Sequence, residues 1–170
     1  MQIIRKGDIS FGSAKYSVDV LKVEDMILEG ERIVTKYKNV LANNCLLIMF
    51  NAELGAGKTH FVKGIAKALE INEIVKSPTY SLIQEYDFEL NGNKSKLVHF
   101  DAWRLENLKE LDKLGLEEYM VNGNIIAVEW AGATEEYFKS LENRKNLYSI
   151  QIQIEYIDSD KRRLNIYETK

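Results

Sequence analysis

Residues 52–59 read Ala52-Glu53-Leu54-Gly55-Ala56-Gly57-Lys58-Thr59, a set of residue types suited to holding a string of phosphates. Gly55 and Gly57 let the backbone curl until successive N–H groups point inward at phosphate oxygens, and a helix starting here adds its positive dipole end. Lys58 supplies an ammonium for the β- and γ-phosphates, Thr59 a hydroxyl suited to Mg²⁺, and His60 borders the phosphates at the helix start. Glu53 to His60 is therefore the candidate nucleotide-binding stretch, with ATP and Mg²⁺ as the expected cofactors. Ala52 stands where the general pattern has glycine; were that position left-handed, alanine would cost about 1 kcal/mol.

Two carboxylates complete the chemistry. Asp101 follows Leu97-Val98-His99-Phe100 and Glu129 follows Ile125-Ile126-Ala127-Val128, so both are expected where buried strands emerge. Open α/β sheets bind their ligands at that edge. Mg²⁺ prefers a few hard oxygen ligands and keeps several waters, which Thr59 plus these acids would suit. Either Asp101 or Glu129 can instead orient or deprotonate an attacking water, so both are catalytic candidates with exchangeable roles. In Lys76-Ser77-Pro78-Thr79-Tyr80-Ser81, Pro78 restricts Ser77 to extended backbone, and the hydroxyls and Lys76 are candidate sensors of a terminal phosphate. His99 reads equally as a core or a site residue, and Arg104 as a phosphate or partner contact. Lys161-Arg162-Arg163 is expected to cover a hairpin face.

Elements of definite type must position these groups. Cys45 to Phe50 is nearly uniformly apolar, as a strand covered on both faces is, and Phe61, Val62, Ile65, Ala66 and Leu69 mark the inner side of a helix from Thr59. Upstream, Tyr16 to Val23 reads as a strand, and Met26, Ile27, Ile33, Val34, Tyr37, Val40 and Leu41 fall at helical spacing. Gly30 weakens the middle of that helix by about 1 kcal/mol relative to alanine. Tyr86, Phe88 and Leu90 alternate with acids, Asn91-Gly92 makes a turn, and Leu97 to Phe100 returns antiparallel. The spacing predicts a helix over 105–114 ended by Gly115, a buried strand at 125–128, and a terminal hairpin from Tyr148–Tyr156 through Asp158-Ser159-Asp160 to Leu164 and Ile166. The fold expected is α/β: a P-loop NTPase-like mixed sheet with flanking helices in a single domain over 1–170. Its motif core is 45–130, with strand extensions at 1–20 and 145–170.

Composition narrows the functions. The chain has 170 residues, 45% hydrophobic and 29% charged, which suits one core. A net charge of −3 leaves no basic excess for neutralising nucleic-acid phosphates, so any link to RNA is expected to be indirect. The single cysteine, Cys45, cannot form an internal disulfide, and Cys45–Phe50 is too short to span a bilayer. The opening residues lack the apolar stretch of a secretory signal, so the expected location is the cytoplasm, with no membrane association.

Four motifs occur in order: Glu53-Leu54-Gly55-Ala56-Gly57-Lys58-Thr59, Lys76-Ser77-Pro78-Thr79-Tyr80-Ser81-Leu82, His99-Phe100-Asp101-Ala102-Trp103-Arg104 and Val128-Glu129-Trp130. Together they resemble the TsaE (YjeE) family, with Ala52 and Trp103 as departures from the family's glycine and tyrosine. The resemblance implies an ATPase, weak alone, that binds a TsaD–TsaB dimer and supports threonylcarbamoyladenosine formation in tRNA. It further implies that Lys58 and the loop amides hold phosphates, that Thr59 and Glu129 serve Mg²⁺, and that Asp101 is catalytic. Two other readings compete: a nucleotide-gated binding module without turnover, and a small-molecule kinase, for which a long lid insert is wanting. GTP is disfavoured because no Asn-Lys-x-Asp segment follows the loop.

Overall fold

In a computed structural model describing residues 15–103, 105, 110, 113–129, 137, 140, 141 and 144–168, seven strands form one sheet. They are β1 (Tyr16–Val20), β2 (Cys45–Ala52), β3 (Ile83–Leu90), β4 (Asn93–Asp101), β5 (Ile125–Glu129), β6 (Leu147–Tyr156) and β7 (Arg162–Glu168). The helices α1 (Val23–Leu41) and α2 (Lys58–Ala68) accompany them. The spatial order is β1-β7-β6-β2-β5-β4-β3. The middle strands β6, β2, β5 and β4 run parallel, and the outer pairs are antiparallel. This is the mixed sheet with flanking helices that the hydrophobic pattern predicts.

Burial explains why β2 lies in the middle. Leu46, Ile48 and Phe50 face one side with Leu97, Ile125, Ala127, Ile150 and Ile152, and there they meet Ile33, Val34 and Leu41 of α1 and Phe61, Val62 and Ile65 of α2. On the other side Cys45, Leu47 and Met49 join Val98, Phe100, Ile126 and Val128 against Leu116, Met120, Tyr137 and Leu141. A strand apolar on both faces can satisfy both only between two layers. Phe50 of β2 meets Phe61 of α2 edge-on, centroids 5.4 Å apart, an arrangement worth about 0.5–1.5 kcal/mol beyond its burial. That contact fixes α2, and with it the loop between strand and helix.

Gly30 has a reason that periodicity does not reveal. A Cβ on Gly30 would lie 2.1 Å from the Phe61 carbonyl oxygen, and one on Gly64 would lie 1.9 Å from the Ile27 carbonyl oxygen. The two helices cross with backbones in contact at these glycines, so the propensity lost within α1 is offset by close packing against α2. At the start of α1, the Asp25 carboxylate accepts the N–H groups of Leu21 and Lys22.

The hairpin predicted around Asn91-Gly92 is β3–β4, in the expected antiparallel register. Leu116–Tyr119 forms a 3-10 turn after Gly115. Most of the helix expected over 105–114 lies outside the described residues, although the Leu114 N–H donates to the Glu110 carbonyl as in a helical turn. Arg104 and Trp130 also lie outside them. Among the described residues no helix is long and apolar enough to cross a membrane.

Candidate functional site

Because β2, β4 and β5 are parallel, Ala52, Asp101 and Glu129 arrive at the same edge of the sheet, with Asp101 and Glu129 directly in register. The loop from Glu53 to Gly57 fills the gap between β2 and α2. Gly55 (φ 77°) and Gly57 (φ 109°) take the left-handed conformations that glycine tolerates without penalty. Ala52 is the last residue of β2 and is absent from the residues with positive φ, so the strain considered for alanine there does not arise. Gly57 is the N-cap of α2 and offers no side chain to occupy the helix's first amides, which leaves that end suited to an anion.

Lys58 begins α2 and is 4% exposed. Its Nζ donates to the Glu53 carbonyl oxygen at 3.0 Å and lies 3.7 Å from Glu129 Oε2. Burial lowers its pKa against the opposing pull of Glu129 and Asp101. The Thr59 hydroxyl faces Glu129 Oε1 at 3.5 Å, and His99 Nε2 meets the same oxygen at 2.8 Å. Since a carboxylate only accepts, His99 Nε2 carries the hydrogen of that bond, and among the described residues the buried Nδ1 has no hydrogen-bond partner. His99, which the sequence leaves undecided, thus belongs to the site: it is fully buried and orients Glu129.

Asp101 is held differently. Its Oδ1 accepts the Trp103 N–H at 3.0 Å, and the Thr79 hydroxyl also bonds the carboxylate. Burial raises its pKa above the usual carboxylate value, with the nearby Glu129 adding to the shift and Trp103, Thr79 and Lys58 opposing it. Thr79 reaches Asp101 because the segment around Pro78 folds as a turn: Leu82 N–H donates to the Pro78 carbonyl at 2.8 Å, and Asp101 N–H to the Leu82 carbonyl at 2.9 Å. Ser77 and Thr79 hydroxyls lie 2.7 Å apart, while Lys76 engages the Tyr86 hydroxyl through its backbone N–H.

The fold therefore gathers Glu53, Lys58, Thr59, Asp101 and Glu129 and sets Gly55, Ala56 and Gly57 around them. Leu54 is exposed on the rim, and His60 is half-buried in the first helical turn, its pKa lowered by burial and by Lys63. Of the two acids, Glu129 meets both Lys58 and Thr59. One contact is illegible in the sequence: the Tyr156 hydroxyl at the end of β6 donates to the Leu54 carbonyl at 3.1 Å. Alternation marks Tyr156 only as a strand residue, and the long separation hides its partner. In the basic cluster, Lys161 and Arg163 pair with Asp19, and the Arg162 guanidinium lies over the Tyr156 ring.

Known proteins resemble this chain in sequence and in fold. A family model described as "Threonylcarbamoyl adenosine biosynthesis protein TsaE" matches residues 22–164. The tRNA threonylcarbamoyladenosine biosynthesis protein TsaE of Aquifex aeolicus is 33% identical over 150 residues, 85% of this chain and 96% of that protein. Its Bacillus subtilis counterpart is 38% identical over 108 residues, 64% of this chain and 65% of that protein. The crystal structure of Bacillus subtilis YdiB superposes with a TM-score of 0.63 at 26% identity, covering 91% of this chain and 86% of the other. From the match over 22–164, together with these relatives, the chain belongs to the TsaE family of tRNA threonylcarbamoyladenosine biosynthesis proteins.

Proposed function

We propose that this protein binds ATP with Mg²⁺ at the Glu53–His60 loop, hydrolyses it slowly, and thereby supports threonylcarbamoyladenosine modification of tRNA through a TsaD–TsaB type partner. The observation that carries the reading is Lys58, a buried ammonium between the Glu53 carbonyl and Glu129 beneath a glycine-curled loop. A buried ammonium at the start of a helix, under such a loop, is suited to a polyanion.

The residues fit the cofactor. Loop amides and Lys58 hold phosphates, and the Thr59 hydroxyl with the Glu129 carboxylate offers Mg²⁺ hard oxygen ligands already facing each other. Bound Mg²⁺ neutralises phosphate charge. His99 keeps Glu129 aimed at that place, and Asp101, tied to Trp103 and Thr79, holds the water that attacks or accepts its proton. Thr79 lies in the segment whose hydroxyls suit a sensor of the terminal phosphate, so hydrolysis can alter that segment and be read by a partner. Ala52 ends a strand without positive φ, so its departure from glycine lends no support to a binding module without turnover. The partner and the tRNA role rest on the family. A net charge of −3 supports an indirect contact with tRNA, and the cytoplasm is the compartment this reading implies.

Calorimetric titration of ATP with and without Mg²⁺, followed by turnover assays with the purified partner dimer, tests this. Expected are Mg²⁺-dependent binding, loss of binding in Lys58→Ala, loss of turnover with retained binding in Asp101→Ala, and faster turnover with partner present. Unaltered ATP affinity in Lys58→Ala would overturn the site.

A further inference from the structure

Among the described residues, three other than glycine have positive φ: Glu70 (58°), Leu82 (65°) and Asn91 (52°). Glu70 follows the end of α2 and Asn91 lies in the β3–β4 turn, places where left-handed backbone is ordinary. Leu82 is in neither kind of place. It stands immediately before β3, and its branched side chain makes the left-handed conformation unfavourable. Such strain persists only where the surroundings impose it.

Two backbone bonds impose it here. The Leu82 N–H donates back to the Pro78 carbonyl at 2.8 Å, and the Leu82 carbonyl accepts the Asp101 N–H at 2.9 Å. One residue thus closes the Pro78–Leu82 turn and fastens it to the end of β4. Within the turn, the Thr79 hydroxyl gives its one hydrogen to the Asp101 carboxylate, so the Ser77 hydroxyl is the donor in the 2.7 Å bond between Ser77 and Thr79. Gln84 of β3 steadies the same turn, donating from Nε2 to the Ser81 hydroxyl at 2.5 Å. With the Trp103 N–H on Oδ1 and the Thr79 hydroxyl also on the carboxylate, Asp101 is 1% exposed. A water that is to be oriented or deprotonated must come within about 3 Å of a carboxylate oxygen, and the turn covers that approach.

We infer that residues 77–82 are a strap that keeps Asp101 covered, that left-handed Leu82 is its strained pivot, and that turnover requires the strap to lift. This rests on the reading above, in which Asp101 serves the attacking water, and adds what controls that residue. Leu82 relaxes once its two backbone bonds are released, so its strain makes lifting easier. Lifting also withdraws the Thr79 hydroxyl, and the carboxylate is then open to water. Leu82 is a positioning residue, acting through Thr79 and Asp101.

The test measures kcat, ATP affinity with Mg²⁺, and hydrogen exchange of the Asp101 N–H in wild type, Leu82→Gly, Leu82→Ala and Thr79→Val. Glycine removes the strain, alanine keeps it while shortening the side chain, and valine removes only the hydroxyl that reaches Asp101. Expected in Leu82→Gly are exchange slowed about fivefold and kcat lowered about fivefold, with ATP affinity unchanged. Leu82→Ala should match wild type in all three. Thr79→Val should exchange faster and raise kcat about fivefold at unchanged affinity. Thermal melts establish folding, and if Thr79→Val does not fold, the two Leu82 variants decide. Exchange or kcat unchanged or raised in Leu82→Gly, an equal loss of kcat in Leu82→Ala, or kcat unchanged or lowered in Thr79→Val overturns the strap and leaves the role of Asp101 standing. A wild type that binds ATP without hydrolysing it removes that role, and the strap with it.

Discussion

Two charge clusters in this molecule are built on opposite principles. At the ends of β4 and β5, Lys58, His99, Asp101 and Glu129 are between 0 and 4% exposed. At the β1–β7 edge Asp19 takes Arg163 at 2.7 and 3.2 Å and Lys161 at 2.7 Å on the surface. In the exposed cluster the bonds to Arg163 and Lys161 hold the Asp19 carboxyl well below the usual range. The buried cluster mixes short contacts, 2.8 Å from His99 to Glu129 and 3.0 Å from Lys58 to the Glu53 carbonyl, with longer ones of 3.5 and 3.7 Å from Glu129 to Thr59 and Lys58, and among the described residues His99 Nδ1 has no hydrogen-bond partner. Exposed ion pairs contribute little to stability, whereas buried charges cost much unless answered. The interior charges are the ones that the proposed nucleotide and Mg²⁺ would answer.

Four substitutions test that contrast, from the largest expected effect to the smallest. Glu129→Ala leaves Lys58 buried without its carboxylate and His99 Nε2–H without an acceptor. Unfolding in urea should show a loss of about 3–5 kcal/mol, and a loss below about 1 kcal/mol would mean that the ammonium is hydrated after all. His99→Leu removes only the hydrogen bond to Glu129 from a fully buried position, and the expected cost is about 1–3 kcal/mol. Restoration of stability in His99→Gln, whose amide can donate again, would sharpen the assignment.

Asp101→Asn should act with the opposite sign. The folded-state pKa of Asp101 is raised, so the stability it contributes is full below the ordinary carboxylate value and is lost as pH rises through the folded pKa. Asparagine does not titrate and still accepts from Trp103, so the variant should melt above wild type at pH 8. The gap should close as pH falls toward the ordinary carboxylate range; a gap constant with pH would break the link between burial and charge. Asp19→Ala, finally, should leave the melting temperature nearly unchanged and lower it further only at low salt. A large loss there would erase the distinction between the clusters.

The parts of this protein that local pattern and chemistry dictate were open to sequence reasoning. Alternation in Tyr86-Asp87-Phe88-Glu89-Leu90 and in Tyr148–Tyr156, the apolar run at Cys45, and the Asn91-Gly92 turn each name an element from a few neighbouring residues. Gly55-Ala56-Gly57-Lys58-Thr59 identifies a phosphate loop in the same way, because curling backbone, ammonium and hydroxyl all lie within one turn of chain. Gly30 misleads such reasoning, since its purpose is a contact with Phe61 and Gly64 on another helix.

What residue order determined by itself was the kind of each element and the inventory of reactive groups, both of which follow from side-chain period and backbone freedom within short stretches. Which acid faces Lys58 and Thr59, that His99 belongs to the site, that Thr79 reaches Asp101, and that Tyr156 touches Leu54 were decided only by tertiary structure. These pairings depend on the parallel register of β4 with β5 and of β2 with β6, set by how the whole sheet buries its two faces. No local period encodes a contact between positions 102 residues apart.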